Sequence, residues 1–362
     1  MRVTPLLGGK EDGGVCSLLE IGGCRILLDC GCTLTTPNEE ILEIAKRLEA
    51  TGGVDCVLLS HADIHHIGAL PIMFGSQGLA PVPVVCTLPV AKFAALVLYD
   101  LHLNIVMEGT PNNVDAEENV VDARRPTYTL DEVDECLSRV TSLKYSQVSP
   151  LPGTSGTRKR RGGEAVDLTP EEEQAEIEAE NAKKQVSFCA FNSGRTIGGA
   201  AWRIRHGATD VLYAMDVNLK KEIVLNGTAL DSLPQAPELL IVEGSCASRA
   251  AATKRKGAAS KAVKAEGASA DAAATAATAT ATASSDSDIL SNVNETLRAR
   301  GNVLIPCESC SRVLEVLQIL SRHWVDGRRG LDHLIFLSPM SFNLVELARS
   351  QLEWMNDSIC TK

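Results

Sequence analysis

The chain has 362 residues, enough for about two domains and a sizeable core, and 44% of them are hydrophobic. A net charge of −11 excludes general nucleic-acid binding by the whole surface. No apolar run reaches the roughly 18 residues of a membrane span, and Met1-Arg2-Val3-Thr4-Pro5 lacks the apolar stretch of a signal peptide.

In chain order the pattern is α/β. Val15–Leu19 and Cys24–Leu28 are apolar-rich runs on either side of Gly22-Gly23, which predicts a hairpin. Glu39–Glu49 has helical spacing, with Ile41, Leu42, Ile44, Ala45 and Leu48 on one side. Asp55–Ser60 reads as a buried strand that delivers His61 at its carboxyl end, and Pro83–Cys86 as another strand. Helices are predicted over Val90–Leu103 and Leu130–Leu143, the second with Asp131 near its positive end. Strands follow over Gln185–Phe191, Ala201–Arg205 and Val211–Asp216. Leu239–Glu243, Val303–Pro306 and His333–Leu337 alternate with helices near Ile289–Arg300, Ser311–Trp324 and Asn343–Trp354, which predicts an open parallel sheet in a second domain.

Two segments break the pattern. About 150–185 is rich in Gly, Ser and Glu, and about 247–287 in Ala, Thr and Ser; both compositions predict disordered insertions. Arg158-Lys159-Arg160-Arg161 reads equally well as a nuclear import signal or a solvated charge run. The twelve cysteines are scattered, several in apolar strand patterns, and read as reduced, buried thiols of an intracellular protein. Cys307-x-x-Cys310 has no second Cys pair, so it reads as a strand-to-helix turn rather than half of a zinc site.

The stretch richest in chemistry is His61-Ala62-Asp63-Ile64-His65-His66, between Val57-Leu58-Leu59 and Gly68-Ala69-Leu70-Pro71. It resembles the His-x-His-x-Asp-His of hydrolases with the metallo-β-lactamase fold. In that family the first two histidines serve one metal ion, and the Asp and last His a second. Here Asp63 stands at the second His position and His65 at the Asp position. Imidazole and carboxylate both bind zinc, so the exchange alone leaves a ligand set.

Further segments extend the resemblance. Leu28-Asp29-Cys30-Gly31 looks like the first motif of the fold. Ser193-Gly194-Arg195-Thr196-Ile197-Gly198-Gly199 looks like the third, with Arg195 replacing its ligand His. Tyr213-Ala214-Met215-Asp216 looks like the fourth, with Asp216 as its bridging carboxylate. Leu240-Ile241-Val242-Glu243-Gly244-Ser245 resembles the acidic first motif of the β-CASP insertion of nucleic-acid-processing members, which makes Glu243 a vestigial or supporting residue beside Asp29. Tyr128-Thr129-Leu130-Asp131-Glu132-Val133-Asp134, Leu143-Lys144-Tyr145-Ser146-Gln147, Leu225-Asn226-Gly227 and Gln351-Leu352-Glu353-Trp354-Met355 carry the match further. They are similar to the subunit 2 family of the cleavage and polyadenylation specificity factor.

The resemblance implies a metallo-β-lactamase-like αββα domain over 1–233 and the start of an inserted β-CASP α/β domain over 234–362. The strands that close the fold, and the last ligand His, are then expected beyond Lys362. It implies a degenerate metal site at His61, Asp63, His65, His66, Arg195 and Asp216, with no catalytic residue and no zinc. Arg195 is expected to pair with Asp63, Asp216 or both as an internal cation, so that its removal leaves uncompensated carboxylates at a cost of roughly 3 to 5 kcal/mol. The implied role is a non-catalytic scaffold in nuclear pre-mRNA 3′-end processing. Its partners are a related catalytic endonuclease and other cleavage and polyadenylation factors, with pre-mRNA met mainly through the complex and no membrane. One alternative is a zinc-dependent RNA endonuclease using Asp63, His65, His66, Asp216 and Glu243. Another is a pseudo-hydrolase subunit of a related RNA-processing complex.

Overall fold

Six strands build the first sheet of the computed structural model: β1 (Arg2–Leu7), β2 (Cys16–Ile21), β3 (Cys24–Leu28), β4 (Cys56–Leu58), β5 (Val84–Thr87) and β6 (Val140–Leu143), side by side in that order. The structure describes residues 1–8, 13–109, 127–152, 185–228, 230, 233, 235–244, 287–308, 310, 312–325 and 333–360. Both predicted insertions, the basic run Arg158–Arg161 included, fall on 153–184 and 245–286, outside the described residues.

The β1–β2–β3 edge is antiparallel and β3 to β6 run parallel. The hairpin turns at Gly22-Gly23, both at positive φ, where glycine carries no steric cost. β4 and β5 are buried at every position, as parallel strands covered on both faces must be. Between β3 and β4 runs α1 (Asn38–Ala50), which buries Ile41, Ile44, Ala45 and Leu48, four of the five positions its spacing picked out. Between β5 and β6 run the helices Leu88–Gly109 and Leu130–Leu137.

The predicted helix over Leu130–Leu143 is half right. Thr129 and Glu132 form a capping box at its start, but the helix ends at Leu137 and Val140–Leu143 becomes β6. The β-branched Val140 and Thr141 fit the pleated edge beside Val84 and Val85, and that pairing wins over the helical spacing.

The second sheet has the order β11 (Leu239–Val242), β10 (Thr209–Ala214), β9 (Ala200–His206), β8 (Val186–Asn192) and β7 (Val148–Pro150). Its β7 to β10 are antiparallel, and Trp202, Phe188 and Tyr213 are its largest fully buried side chains. Hydrogen bonds join the two sheets: Trp202 Nε1–H donates to Leu59 O at 3.0 Å, Thr87 Oγ1–H to Gly198 O at 2.6 Å and Ala200 N–H to Ser60 O at 2.9 Å. The last tie holds the end of the β4 segment, where the predicted site begins.

The chain forms two compact units. The first is Met1–Asn192, Gly198–Ala214 and Asp231–Ile241, and the second is Ser193–Ile197, Met215–Leu230 and Val242–Lys362. Within the second, helix Arg312–Val325 holds the 222–225 segment. Glu315 accepts the N–H groups of Ile223 and Val224 at 2.8 and 2.9 Å, and Arg312 Nη1 binds Glu222 at 2.5 Å. Asn356 donates to Glu222 O and Val224 O at 3.0 and 2.8 Å.

The predicted parallel sheet of a second domain does not appear among the described residues. Leu239–Val242 joins the second sheet instead, where Glu238 N–H donates to Asp210 O. Val303–Pro306 and His333–Leu337 form no strand, because no backbone partner reaches them among the described residues. Their apolar side chains stand exposed, Leu304 and Leu337 at 91%. Residues 287–298, Arg312–Val325 and Ser341–Arg349 are helical, close to prediction, and the third gives way to a 3₁₀ turn over Leu352–Trp354.

Candidate functional site

The residues singled out by sequence divide between the two units, and each set has its own construction. In the first unit β3 ends at Leu28, and Asp29 comes next with φ +55, its N–H bonded to Leu58 O at 2.8 Å. That backbone turn directs a fully buried carboxylate at the end of β4. Asp29 Oδ1 accepts Ser60 N–H at 2.6 Å, and Oδ2 accepts Ser60 Oγ–H and Tyr213 OH at 2.6 Å each. Burial pushes the Asp29 pKa up, against the opposing pull of His66 and these three hydrogen bonds.

His61, also fully buried, places Nδ1 2.9 Å from Ser60 Oγ. Since that hydroxyl gives its proton to Asp29, Nδ1 carries a proton and donates to Oγ. A relay therefore runs His61 to Ser60 to Asp29.

Asp63 caps the short helix α2 (Ile64–Ile67), accepting His65 N–H at 2.9 Å, and both its oxygens lie within 2.9 Å of His66 Nδ1. Burial would raise its pKa, but His66, and after it His61 and His65, hold it well below the usual carboxylate range. The rings of His61 and His66 lie 4.8 Å apart. His65 turns another way: its carbonyl accepts Val15 N–H at 2.6 Å, and its buried Nδ1 has no hydrogen-bond partner among the described residues. Gly31 is required beside it, since a Cβ there would stand 1.5 Å from His65 O.

In the second unit Arg195 and Asp216 meet. The Nε–H donates to Asp216 Oδ2 at 3.1 Å, and the side chains are 23% and 22% exposed. The backbone is shaped for the meeting: Gly194 has φ +74 and would carry a Cβ 2.6 Å from Thr228 N, while Asp216 itself sits at φ +44. Glu243, half-buried, comes directly after β11.

The structure thus gathers His61, Asp63, His66 and Asp29 in the first unit and pairs Arg195 with Asp216 in the second. The expected cation is found on Asp216, whereas Asp63 is bound to His66 and to the helix it caps. The pair is also more exposed than the buried pair expected, because nearly a quarter of each side chain meets solvent. Ser60 and Tyr213, which hold Asp29, lie within the motifs, but the sequence assigns them no role. Their signal is position: a hydroxyl beside the first His, and a Tyr at the end of an apolar strand with a buried acid to meet. Among the described residues, no three His, Cys, Asp or Glu side chains are grouped as one metal ion would need. No helix among them is long and apolar enough to cross a membrane.

Along 99% of its length the chain is 30% identical to the probable cleavage and polyadenylation specificity factor subunit 2 of Drosophila melanogaster, and 32% identical to the subunit 2 protein of Oryza sativa subsp. japonica. It spans 38% of the length of each. It is 24% identical to Integrator complex subunit 11 of Danio rerio and spans 48% of that protein. A family model described as the metallo-beta-lactamase superfamily domain matches residues 18–158 and 173–241, more than half of the chain, including β3 to β10 and the loops that carry His61 to His66, Arg195 and Asp216. The chain belongs to the metallo-beta-lactamase superfamily.

Proposed function

We propose that this chain is part of a non-catalytic subunit acting in nuclear pre-mRNA 3′-end cleavage and polyadenylation. Its partners in this reading are a related catalytic endonuclease and other cleavage and polyadenylation factors, and it meets pre-mRNA mainly through them. The names of the relatives matched along 99% of the chain supply the process. The segment Leu240–Ser245 supports reading residues 234–362 as the start of a β-CASP domain.

One observation carries the non-catalytic half: a guanidinium is bonded to Asp216, the carboxylate that in active relatives of this fold would hold metal. A two-zinc centre supplies a polarised scissile bond and a water deprotonated near neutral pH. The residues present do not fit one. Arg195 brings a permanent positive charge where an imidazole would bind. Asp63, standing at a ligand position, is spent on His65 N–H and His66. His61 and His66 each have Nδ1 bonded, to Ser60 Oγ and to Asp63, and two imidazoles fall short of a zinc ligand set.

The test is affinity purification of the protein from nuclear extract, with mass spectrometry of co-purifying proteins and elemental analysis of the isolated chain. The expected outcome is a 3′-end endonuclease with its associated factors, and less than stoichiometric zinc. Tightly held zinc together with metal-dependent RNA cleavage would overturn the reading in favour of an enzyme with altered ligands. Arg195→His alone is expected to leave cleavage at background, since it returns one ligand and leaves Asp63 and His65 exchanged. The match to Integrator complex subunit 11 favours a second reading, a subunit of a related RNA-processing complex. Recovery of such a complex in the same purification would select it.

A further inference from the structure

The Arg195–Asp216 pair leaves one edge of the guanidinium uncommitted. Asp216 takes Nε–H only, and among the described residues neither Nη1 nor Nη2 of Arg195 has a hydrogen-bond partner. This is the edge with which arginine grips two oxygens of one phosphate. Asp216 fixes the plane of the fork without filling it.

The neighbouring groups are arranged around a small cleft lined by Arg195, Glu222, Val224, Leu225, Arg312 and Glu315. Its carboxylates are engaged. Arg312 Nη1 holds both oxygens of Glu222 at 2.5 and 2.6 Å, and the two oxygens of Glu315 accept the N–H groups of Ile223 and Val224. Burial pushes the Glu315 pKa up, against the pull of these two N–H groups. The hydroxyls of Thr196 and Thr228 are buried with no hydrogen-bond partner among the described residues. Thr196 is next to Arg195 in the chain, and Thr228 N lies against Gly194, so both belong to the same loop pair. The space within the cleft is about 10 Å³, room for about one water and not for an anion, and the Arg195 side chain is 23% exposed.

We propose that the Nη1/Nη2 edge of Arg195, oriented by Asp216, is a phosphate-binding fork that holds one backbone phosphodiester of single-stranded RNA. An arginine standing where relatives bind metal then keeps a positive charge for phosphate without metal. The fork contributes one contact on an acidic protein, so it positions a strand and does not supply high affinity alone. The choice of RNA rests on the proposed function; inorganic phosphate, as competitor, tests the fork without it.

The experiment measures binding of a fluorescent oligouridylate to the full chain by anisotropy across a salt series, for the wild type, Arg195→Gln, Arg195→Lys and Asp216→Asn. Arg195→Gln is expected to weaken binding about fivefold and to reduce the slope of log affinity against log salt by about 0.7, one phosphate of a single strand. Arg195→Lys keeps the charge and loses the fork, so it retains the slope but binds more weakly than wild type. Asp216→Asn is the decisive variant. Asparagine tolerates the positive φ, so the fold is kept, and removal of the carboxylate charge should tighten binding. A merely structural ion pair predicts no tightening. Inorganic phosphate should compete in the wild type and not in Arg195→Gln. Equal affinity and slope in the wild type, Arg195→Gln and Asp216→Asn, or no oligouridylate binding by the wild type, would overturn the proposal while leaving the co-purification result untouched.

Discussion

Asp29 and Asp216 are two acids in segments that resemble motifs of one family, and their surroundings solve the problem of a charge in opposite ways. Asp29 is fully buried and has only neutral donors on its oxygens: one amide and two hydroxyls. Asp216 is 22% exposed and has a guanidinium. A buried carboxylate held by short hydrogen bonds makes the surrounding hydroxyls depend on it, since each would otherwise lie desolvated without an acceptor. A carboxylate at the surface is half served by water, and its partner can be exchanged at low cost. The first arrangement ties its neighbours to the acid, and the second leaves the acid's partner exchangeable.

That contrast breaks first at Asp29. Asp29→Ala strands Ser60 N–H, Ser60 Oγ–H and Tyr213 OH in a dry site, and the cost is expected to be about 4 kcal/mol in urea unfolding. Tyr213→Phe removes one donor and should cost about 1 kcal/mol. If Asp29→Ala lost no more than Tyr213→Phe, the three bonds would not be acting as a network.

The second unit has its own buried acid, Glu315, and there too burial rather than location decides how much depends on it. Glu315→Ala leaves the N–H groups of Ile223 and Val224 without acceptors, partly offset by alanine's helix propensity, for a net loss of about 2 kcal/mol. The measurement is amide hydrogen exchange at Ile223 and Val224, which should speed up while exchange in β4 and β5 is unchanged.

Asp63 gives the pH-dependent version. Its pKa in the fold is depressed below 3.8, so its contribution is fully present above that value and is lost as pH falls through the folded pKa. Asp63→Ala removes a helix cap and the His66 contact, for about 1.5 kcal/mol at pH 7. The gap between wild type and Asp63→Ala should therefore close in acid below about pH 4. Asp29, with its pKa raised by burial, works in the other direction: its contribution is strongest in acid and weakens as pH rises through the folded pKa. A double-mutant cycle on Asp29 and Asp63 across pH separates the two.

Most of the first unit was legible. The Gly22-Gly23 hairpin, α1, β4 and β5 came out of spacing and apolar runs, because each is decided by one buried face. Asp29, His61 and Asp216 were legible as a pattern, since their places at strand ends follow from the strands. The hidden parts depend on pairing across long separations. β6 reads as helix until Val84 and Val85 are known to lie beside it, and Val303–Pro306 reads as strand although no ladder reaches it among the described residues. Nor does any local signal tell whether Asp63 is a ligand, a helix cap or an acceptor for His66. Three residues of sequence separate those roles, and the backbone turn at Asp63 chooses among them.

The smallest effect is expected at Arg195. Sequence alone places the pair in the interior, where breaking it would leave an uncompensated charge and cost roughly 3 to 5 kcal/mol. With 23% of the arginine and 22% of the acid exposed, water screens the remaining charge, and only one hydrogen bond, Nε–H to Oδ2, is lost. Arg195→Gln should therefore cost less than about 1 kcal/mol, and the loss should shrink further in high salt. The check is urea unfolding of both proteins at low and high salt, read by a probe in the second unit such as Trp354. A loss as large as that at Asp29, unmoved by salt, would mean that Asp216 behaves as a buried charge after all. In that case the distinction between the two acids fails, and the fork at Arg195 would be a structural bond first.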